Sequence, residues 1–400
     1  MLPLLLSLHQ YIFCATLVCK TSLSRSTVLV SQAEQPVYQP PLVITKGGTY
    51  SGNWQSDDPN VPAVLITTTE PVVIQYSRLR GRTDLIYDPY DSGKLTVRNT
   101  YGYGLNPNVA GQSPGRFLKA YKPTKIVIEN CYMESTSGIY LNGDRTTPQS
   151  VKIRYNRARN IDGRKSDGNG GFTGDFDWSQ FVQLDKVQHA PDIEIAWNEV
   201  VNEPYKSRVE ENINIGLSSG TDSNPIQIHD NYIQGAYPAN PAKDGYGGGG
   251  MMLGDGSSTD SSDSPSFVKA FNNQIVNTTN EGIAITAGHD IEFYNNRIIS
   301  SGLLPDGTRP LAQNVGAGIW DGYGDSSKGT FYNNEGHDNT IGWVSANRQR
   351  NDWWLPDCAI SKCTNNNSLA GPITPDTEKA EFQAWQNKIS TNNATIGPDF

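Results

Sequence analysis

The feature that most constrains this chain is a pattern that keeps returning. Two apolar residues alternate, two further residues follow, then a small polar residue, one more position and usually another apolar residue. It is plainest at Val151-Lys-Ile-Arg-Tyr-Asn156, Ile193-Glu-Ile-Ala-Trp-Asn198, Ile226-Gln-Ile-His-Asp-Asn231, Val268-Lys-Ala-Phe-Asn-Asn273 and Ile291-Glu-Phe-Tyr-Asn-Asn296. Looser copies end at Ser77, Thr100, Cys131 and Asn334, and the spacing between neighbouring copies runs from 23 to 42 residues. Alternation of period two marks a strand, and a strand that returns with a fixed minimum spacing is one side of a coil. A second short alternating run follows in most copies, for example Phe181-Val-Gln-Leu184, Asn212-Ile-Asn-Ile215 and Gly282-Ile-Ala-Ile285. The expected fold is therefore all-β: a right-handed parallel β-helix of about nine turns, with two strands and their corners per turn.

Over about residues 42–345 the pattern resembles the pectate-lyase-like superfamily of right-handed parallel β-helices. A leucine-rich-repeat horseshoe also pairs alternating apolar residues with an asparagine. It needs a regular leucine set, however, whereas these turns use Val, Ile and Gly and vary almost twofold in length. The asparagine column is expected to be structural, because Asn tolerates the left-handed backbone of a sharp corner and stacked amides hydrogen-bond from turn to turn. Cys131 stands in that column as a small buried filler. Outside the coil, Lys152 is expected beside Glu194 and Lys269 beside Glu292. The 39 Gly and 24 Pro among 400 residues suit a chain that turns often.

Three segments are expected: 1–33, a signal peptide carrying the apolar run from Leu2 to Val18; 34–345, the β-helix; and 346–400, a cap. The chain is then secreted, and Cys14 and Cys19 leave with the leader. Cys358 and Cys363 form a close pair suited to a disulfide, and sequons begin at Asn277, Asn366 and Asn393. In the cap, Thr374 caps a short helix from Pro375 to Ser390, with Phe382, Trp385 and Ile389 on one face, expected as a lid over the open end.

Insertions at 161–180, 202–211, 235–249 and 300–316 recur at one place in the circuit, so stacking makes them neighbours along the edge of a groove. Lengthening a loop costs little closure entropy, and long ordered loops are more often functional than ornamental. Trp178, Tyr205, Tyr246 and Trp320 offer aromatic faces for sugar rings, and Asn214 offers an amide on the floor. The stretch Glu203-Pro-Tyr-Lys206-Ser-Arg208-Val-Glu210-Glu211 resembles the Lys-Ser-containing stretch of the chondroitinase B and alginate-lyase family. That resemblance implies Lys206 as base, Arg208 as its assistant and Glu203, Glu210 and Glu211 as ligands for calcium; Asp185, outward on the second strand, is a further catalytic candidate. Proton removal next to a uronate carboxylate needs that carboxylate neutralised, which is what a calcium ion supplies.

The functional expectation is an extracellular protein acting on an acidic polysaccharide, by β-elimination as a lyase or as an epimerase. A noncatalytic glycan-binding β-helix is the alternative, and a glycoside hydrolase the third reading, with Asp175, Asp177 and Asp185 as carboxylates. Asp88-Pro-Tyr-Asp91 resembles the Asp-Pro-His-Asp of alginate epimerases, with Tyr90 in the histidine's place. A formal charge of −9 excludes sequence-independent binding to nucleic acid, and no membrane insertion is expected.

Overall fold

The computed structural model describes residues 36–359 and 361–400; the expected leader, Cys14 and Cys19 lie outside them. From Val37 to Phe400 the chain forms one compact unit, a parallel β-helix. The first sheet contains eleven strands in strict chain order, from Leu42–Ile44 to Trp353–Trp354, so each strand is added beside the one before it. Among the described residues, no helix is long and apolar enough to cross a membrane.

The circuit has three strands, one more than the sequence pattern suggests. Ser150–Arg154 leads up to Asn156 on the second sheet, Arg157–Arg159 leaves it on the third, and Val182–Val187 closes the turn on the first. The lone apolar residue two places after each column position is the inward residue of that third strand. Ala158, Val200, Ile233, Ile275, Ile298 and Ile341 stack in register and are fully buried. A three-residue strand with a single inward side chain leaves too little alternation to be read as a strand.

The asparagine column is a continuous buried ladder. Asn198 Oδ1 accepts from the backbone N and Nδ2 of Asn156, Asn231 Oδ1 from those of Asn198, Asn273 Oδ1 from those of Asn231, and Asn296 Oδ1 from those of Asn273, all at 2.9–3.1 Å. Each Nδ2 also donates to a carbonyl of the preceding turn, as Asn231 does to Ile195 at 2.9 Å. Two expectations change. The next member is Asn339 and not Asn334, followed by Asn366, because the Oδ1 of Asn339 meets the backbone N of Asn296 at 3.0 Å. The left-handed residue of the corner is the one before the column, with φ between 44° and 57° at Tyr76, Asn99, Asn130, Tyr155, Trp197, Asp230, Asn272, Asn295, Asp338 and Asn365.

Cys131 fills the column, its backbone N donating to Asn156 Oδ1 at 2.9 Å. Lys152 pairs with Glu194 at 3.3 Å and Lys269 with Glu292 at 2.7 Å, as stacking requires. Stacking also continues beyond residue 345, where Trp353–Trp354 joins the first sheet and Asn367–Ser368 pairs with Thr340–Trp343. Cys358 and Cys363 are disulfide-bonded.

The helix Pro375–Thr391, capped by Thr374, does not cover the end of the coil. It lies along the third sheet as a strap. Glu381 pairs with Arg297 at 2.6 Å, and the buried Trp385 donates Nε1 to Glu199 at 3.0 Å. Farther on, Gly397 N reaches Tyr155 O at 2.8 Å and the Phe400 ring meets Tyr76 at 5.6 Å. Of the left-handed corner residues, seven are Asn or Asp, which tolerate that backbone. The other three are aromatic: Tyr155 and Trp197 pack against the helix and the residues after it, and Tyr76 meets Phe400 at the end of the chain. The apolar face of the helix packs against Tyr155 and Trp197.

Asn231→Ala should lower stability by about 2–4 kcal/mol, because it orphans the buried backbone N–H of Asn198, removes the donor to the Ile195 carbonyl and leaves the Asn198 and Asn273 amides one bond short. The urea midpoint measures this; a change under about 0.5 kcal/mol would show that the ladder does not hold the stack.

Candidate active site

The outward face of the first sheet forms the floor of the site. Its central column, read by register, is Tyr87, Lys119, Tyr140, Gln183, Asn214, Met252, Ala284, Gly318 and Trp354. A groove of about 860 Å³ opens over the middle and later turns. Its walls come from Asp177–Trp178, Glu210–Glu211, Tyr246, Asn280–Glu281 and Trp320–Tyr323. Insertion 161–180 forms an antiparallel hairpin, Arg164–Ser166 with Phe172–Phe176, that leads into Trp178. Insertion 300–316 does not line the groove; Leu311 N instead bonds Pro241 O at 2.8 Å.

Four carboxyl groups gather here. Glu210 accepts from the Tyr246 hydroxyl at 2.6 Å and pairs with Arg208, whose guanidinium is buried against the Phe176 ring, 3.4 Å from its centroid. Asp255 accepts from the Tyr323 hydroxyl at 2.5 Å and from Asn214 Nδ2 at 2.9 Å. Glu211, which accepts from the same Nδ2 at 3.2 Å, and Glu281 enter from first-sheet strands two turns apart. Between them stands Gly249, where a Cβ would lie 2.1 Å from Glu281 Oε1 and 3.4 Å from Glu211 Cγ. Any side chain at 249 would push the two glutamates apart.

With one guanidinium among four carboxyl groups, complete ionisation is unfavourable. Burial, reinforced by Glu210 and Asp255, pushes Glu281 up to about 8. Burial and its three acidic neighbours raise Glu211 well above the usual range, and burial raises Glu210 despite Arg208. Burial, then the carboxylates they donate to, pushes the Tyr246 and Tyr323 phenols upward. Glu281 Oε1 and Asn214 Oδ1 are buried without hydrogen-bond partners.

Of the residues expected from sequence, Trp178, Tyr246, Trp320, Asn214, Glu210 and Glu211 line the groove. Lys206, Tyr205 and Glu203 do not. The turn closed by Lys206 N on Glu203 O at 3.3 Å and Ser207 Oγ on Glu203 O at 2.9 Å sends them outward, where Lys206 pairs with Glu203 at 2.7 Å and is 64% exposed. Arg164 fastens this turn through the carbonyls of Tyr205 and Lys206. Arg208 is buried behind Glu210, and Asp185 is held by Tyr140 and Asn142, both at 2.7 Å, beside the groove. The expected calcium set Glu203, Glu210 and Glu211 is therefore not brought together.

Among the described residues, the three metal-ligand side chains whose donor atoms lie within 4.8 Å of one another are Glu292, Glu335 and His337, a group that can hold a metal ion. They stand on the second sheet, where Lys269 and Lys362 already pair with the two glutamates. Asp88 of the epimerase-like motif is buried at 1% exposure and points into the coil. Sequence reasoning missed Asp255, Glu281 and Tyr323. Glu281 had a signal: it precedes Gly282-Ile-Ala-Ile285 just as Glu211 precedes Asn212-Ile-Asn-Ile215.

No protein-family model matches the chain, and no curated protein sequence matches it. Among solved structures it is similar to a mannuronic-acid-specific family 6 polysaccharide lyase from human gut microbiota, at 11% identity and a TM-score of 0.36, covering 90% of this chain and 91% of that one. A likeness of that degree assigns no chemistry.

Glu281 binds its proton more tightly in the folded chain than in the unfolded one, where its pKa is 4.5. Its contribution to stability is complete below that value and is lost as pH rises towards about 8. Melting temperature should therefore fall between about pH 5 and pH 9, and Glu281→Gln should flatten the fall. An equal slope in both proteins would place the shift elsewhere.

Proposed function

We propose that this β-helix is an extracellular enzyme that cleaves an acidic polysaccharide laid along the first-sheet groove, by hydrolysis with carboxyl groups as acid and base. The observation that carries the reading is the crowding of Glu210, Glu211, Asp255 and Glu281 around one aromatic-walled cleft with a single guanidinium behind them. Glu281 retains a proton near neutrality, as a general acid for a glycosidic oxygen must. Asp255, which accepts hydrogen bonds from the Tyr323 hydroxyl and Asn214 Nδ2, is the carboxyl group assigned to take a proton from water. Trp178, Tyr246 and Trp320 supply faces for sugar rings.

Elimination is the second reading. Protonated Glu211 and Glu281, with the amides of Asn214 and Gln183, offer donors that neutralise a uronate carboxylate. It needs a base, however. Among the described residues no lysine or histidine lines this groove, and the phenols beside the carboxylates are held in their protonated form. Hydrolysis uses only groups already in place.

The test is incubation with alginate, polygalacturonate and chondroitin sulfate, reading new reducing ends alongside ultraviolet absorbance. New reducing ends without unsaturated products are expected. Glu281→Gln should lower kcat by about 10²–10⁴-fold, while Lys206→Ala keeps the wild-type rate. Unsaturated products, lost in Lys206→Ala, would replace hydrolysis by elimination; binding without any product would make the chain a glycan-binding protein.

A further inference from the structure

The carboxyl cluster occupies the middle turns, but the first-sheet floor does not end there. On the preceding turns the same outward positions change character. Tyr87, Lys119 and Tyr140 follow one another in register, with Tyr121 two residues beyond Lys119 on the same strand. The Tyr87 and Tyr121 rings lie 6.4 Å apart and the Tyr121 and Tyr140 rings 6.3 Å apart, each pair nearly perpendicular. A second cavity of about 380 Å³ opens over Lys119, Tyr121 and Tyr140. It shares Arg116, Tyr140, Asp177 and Trp178 with the larger groove, so the two are continuous.

The charge also reverses along the floor. The Lys119 ammonium sits 5.7 Å and 5.8 Å from the ring centroids of Tyr87 and Tyr121, and among the described residues no carboxylate forms an ion pair with it. The acids of this cavity are already engaged: Asp84 accepts from the Arg116 backbone N at 2.8 Å, and Asp177 pairs with Lys165 at 3.2 Å. Arg116 donates to the carbonyls of Ser137 at 2.6 Å and Trp178 at 2.8 Å, which fixes the junction between the cavities. Lys119 is thus a cation on an aromatic floor; through space it opposes the burial that raises the pKa of Asp84, but it forms no ion pair with that residue. Five strand spacings separate its turn from that of Glu281, roughly 24 Å at the usual sheet spacing. That is several sugar rings, so nothing bound there touches the reacting bond.

We propose that Tyr87, Lys119, Tyr121 and Tyr140 form a remote glycan-binding platform that holds the part of an acidic chain lying beyond the carboxyl cluster, Lys119 meeting a carboxylate or sulfate and the tyrosines meeting sugar faces. The inference rests on the groove being the glycan site. Remote contacts of this kind anchor a polymer and position its scissile bond, which makes the protein selective for long chains over short ones.

Affinity electrophoresis tests the platform without turnover, using native gels that contain alginate, polygalacturonate or neutral hydroxyethylcellulose. The intact protein should be retarded by at least one acidic polymer and not by the neutral one. Lys119→Met, which keeps the aliphatic stem, should weaken the retardation about tenfold, as expected for one charge-assisted contact. Tyr121→Ala should weaken it too, and circular-dichroism melts check that both variants fold. Lys206→Ala, outside the groove, should be retarded like the wild type. If the wild type is retarded and nothing is ever cleaved, the enzymatic reading fails and the platform stands. No retardation by any acidic gel, or equal retardation of the wild type, Lys119→Met and Tyr121→Ala, overturns the platform.

Discussion

The structure depends on turn-to-turn registry, and registry is held from inside by the asparagine ladder. Each amide accepts two bonds from the turn before it and donates to that turn's backbone and to the next amide. A strand shifted by one residue would leave unpaired the buried backbone N–H and carbonyl that each amide now satisfies, at about 1–3 kcal/mol for each. The apolar stacks on either side enforce the same registry, because a one-residue slip would turn every inward side chain outward. The stacks and the ladder together decide which residues from distant parts of the chain become neighbours.

The candidate site follows from that registry. Glu211, Gly249 and Glu281 occupy one edge of successive first-sheet strands, and the missing side chain at 249 lets the two acids close over the gap. Asp255 comes from the far end of the strand that Gly249 begins, and Tyr323 reaches back to it from a later turn. No one of these residues is unusual in its own segment. Packed together with one guanidinium, that of Arg208, in contact with them, they cannot all ionise, and their acid–base character belongs to the cluster.

The strap shows the same logic in another place. Bulky aromatics in left-handed backbone are unfavourable on their own, and the three beside the asparagine column, Tyr76, Tyr155 and Trp197, all meet the C-terminal segment. Those positions could have marked the path of the C-terminal segment along the third sheet. Open strands at the end of the coil also call for a cover, which is where sequence alone places the helix.

Sequence by itself determined the coil, its inward apolar stacks, most of the asparagine column, the Lys–Glu pairs between turns and the capped helix, because each is written in local spacing. It also named Trp178, Tyr246, Trp320, Asn214, Glu210 and Glu211, which lie on insertions or strands whose place in the circuit is regular. It did not locate the third strand, whose pattern is a single residue, or distinguish Asn334 from Asn339, five residues apart with similar surroundings. Only the tertiary structure decided that Lys206 turns outward while Arg208 is buried, since a tight turn and Arg164 from another loop settle their directions. Only it could assemble Asp255 and Glu281 with Glu211, because a groove across stacked turns is built from separations of 26 to 70 residues, and those distances vanish only when the coils are laid in register.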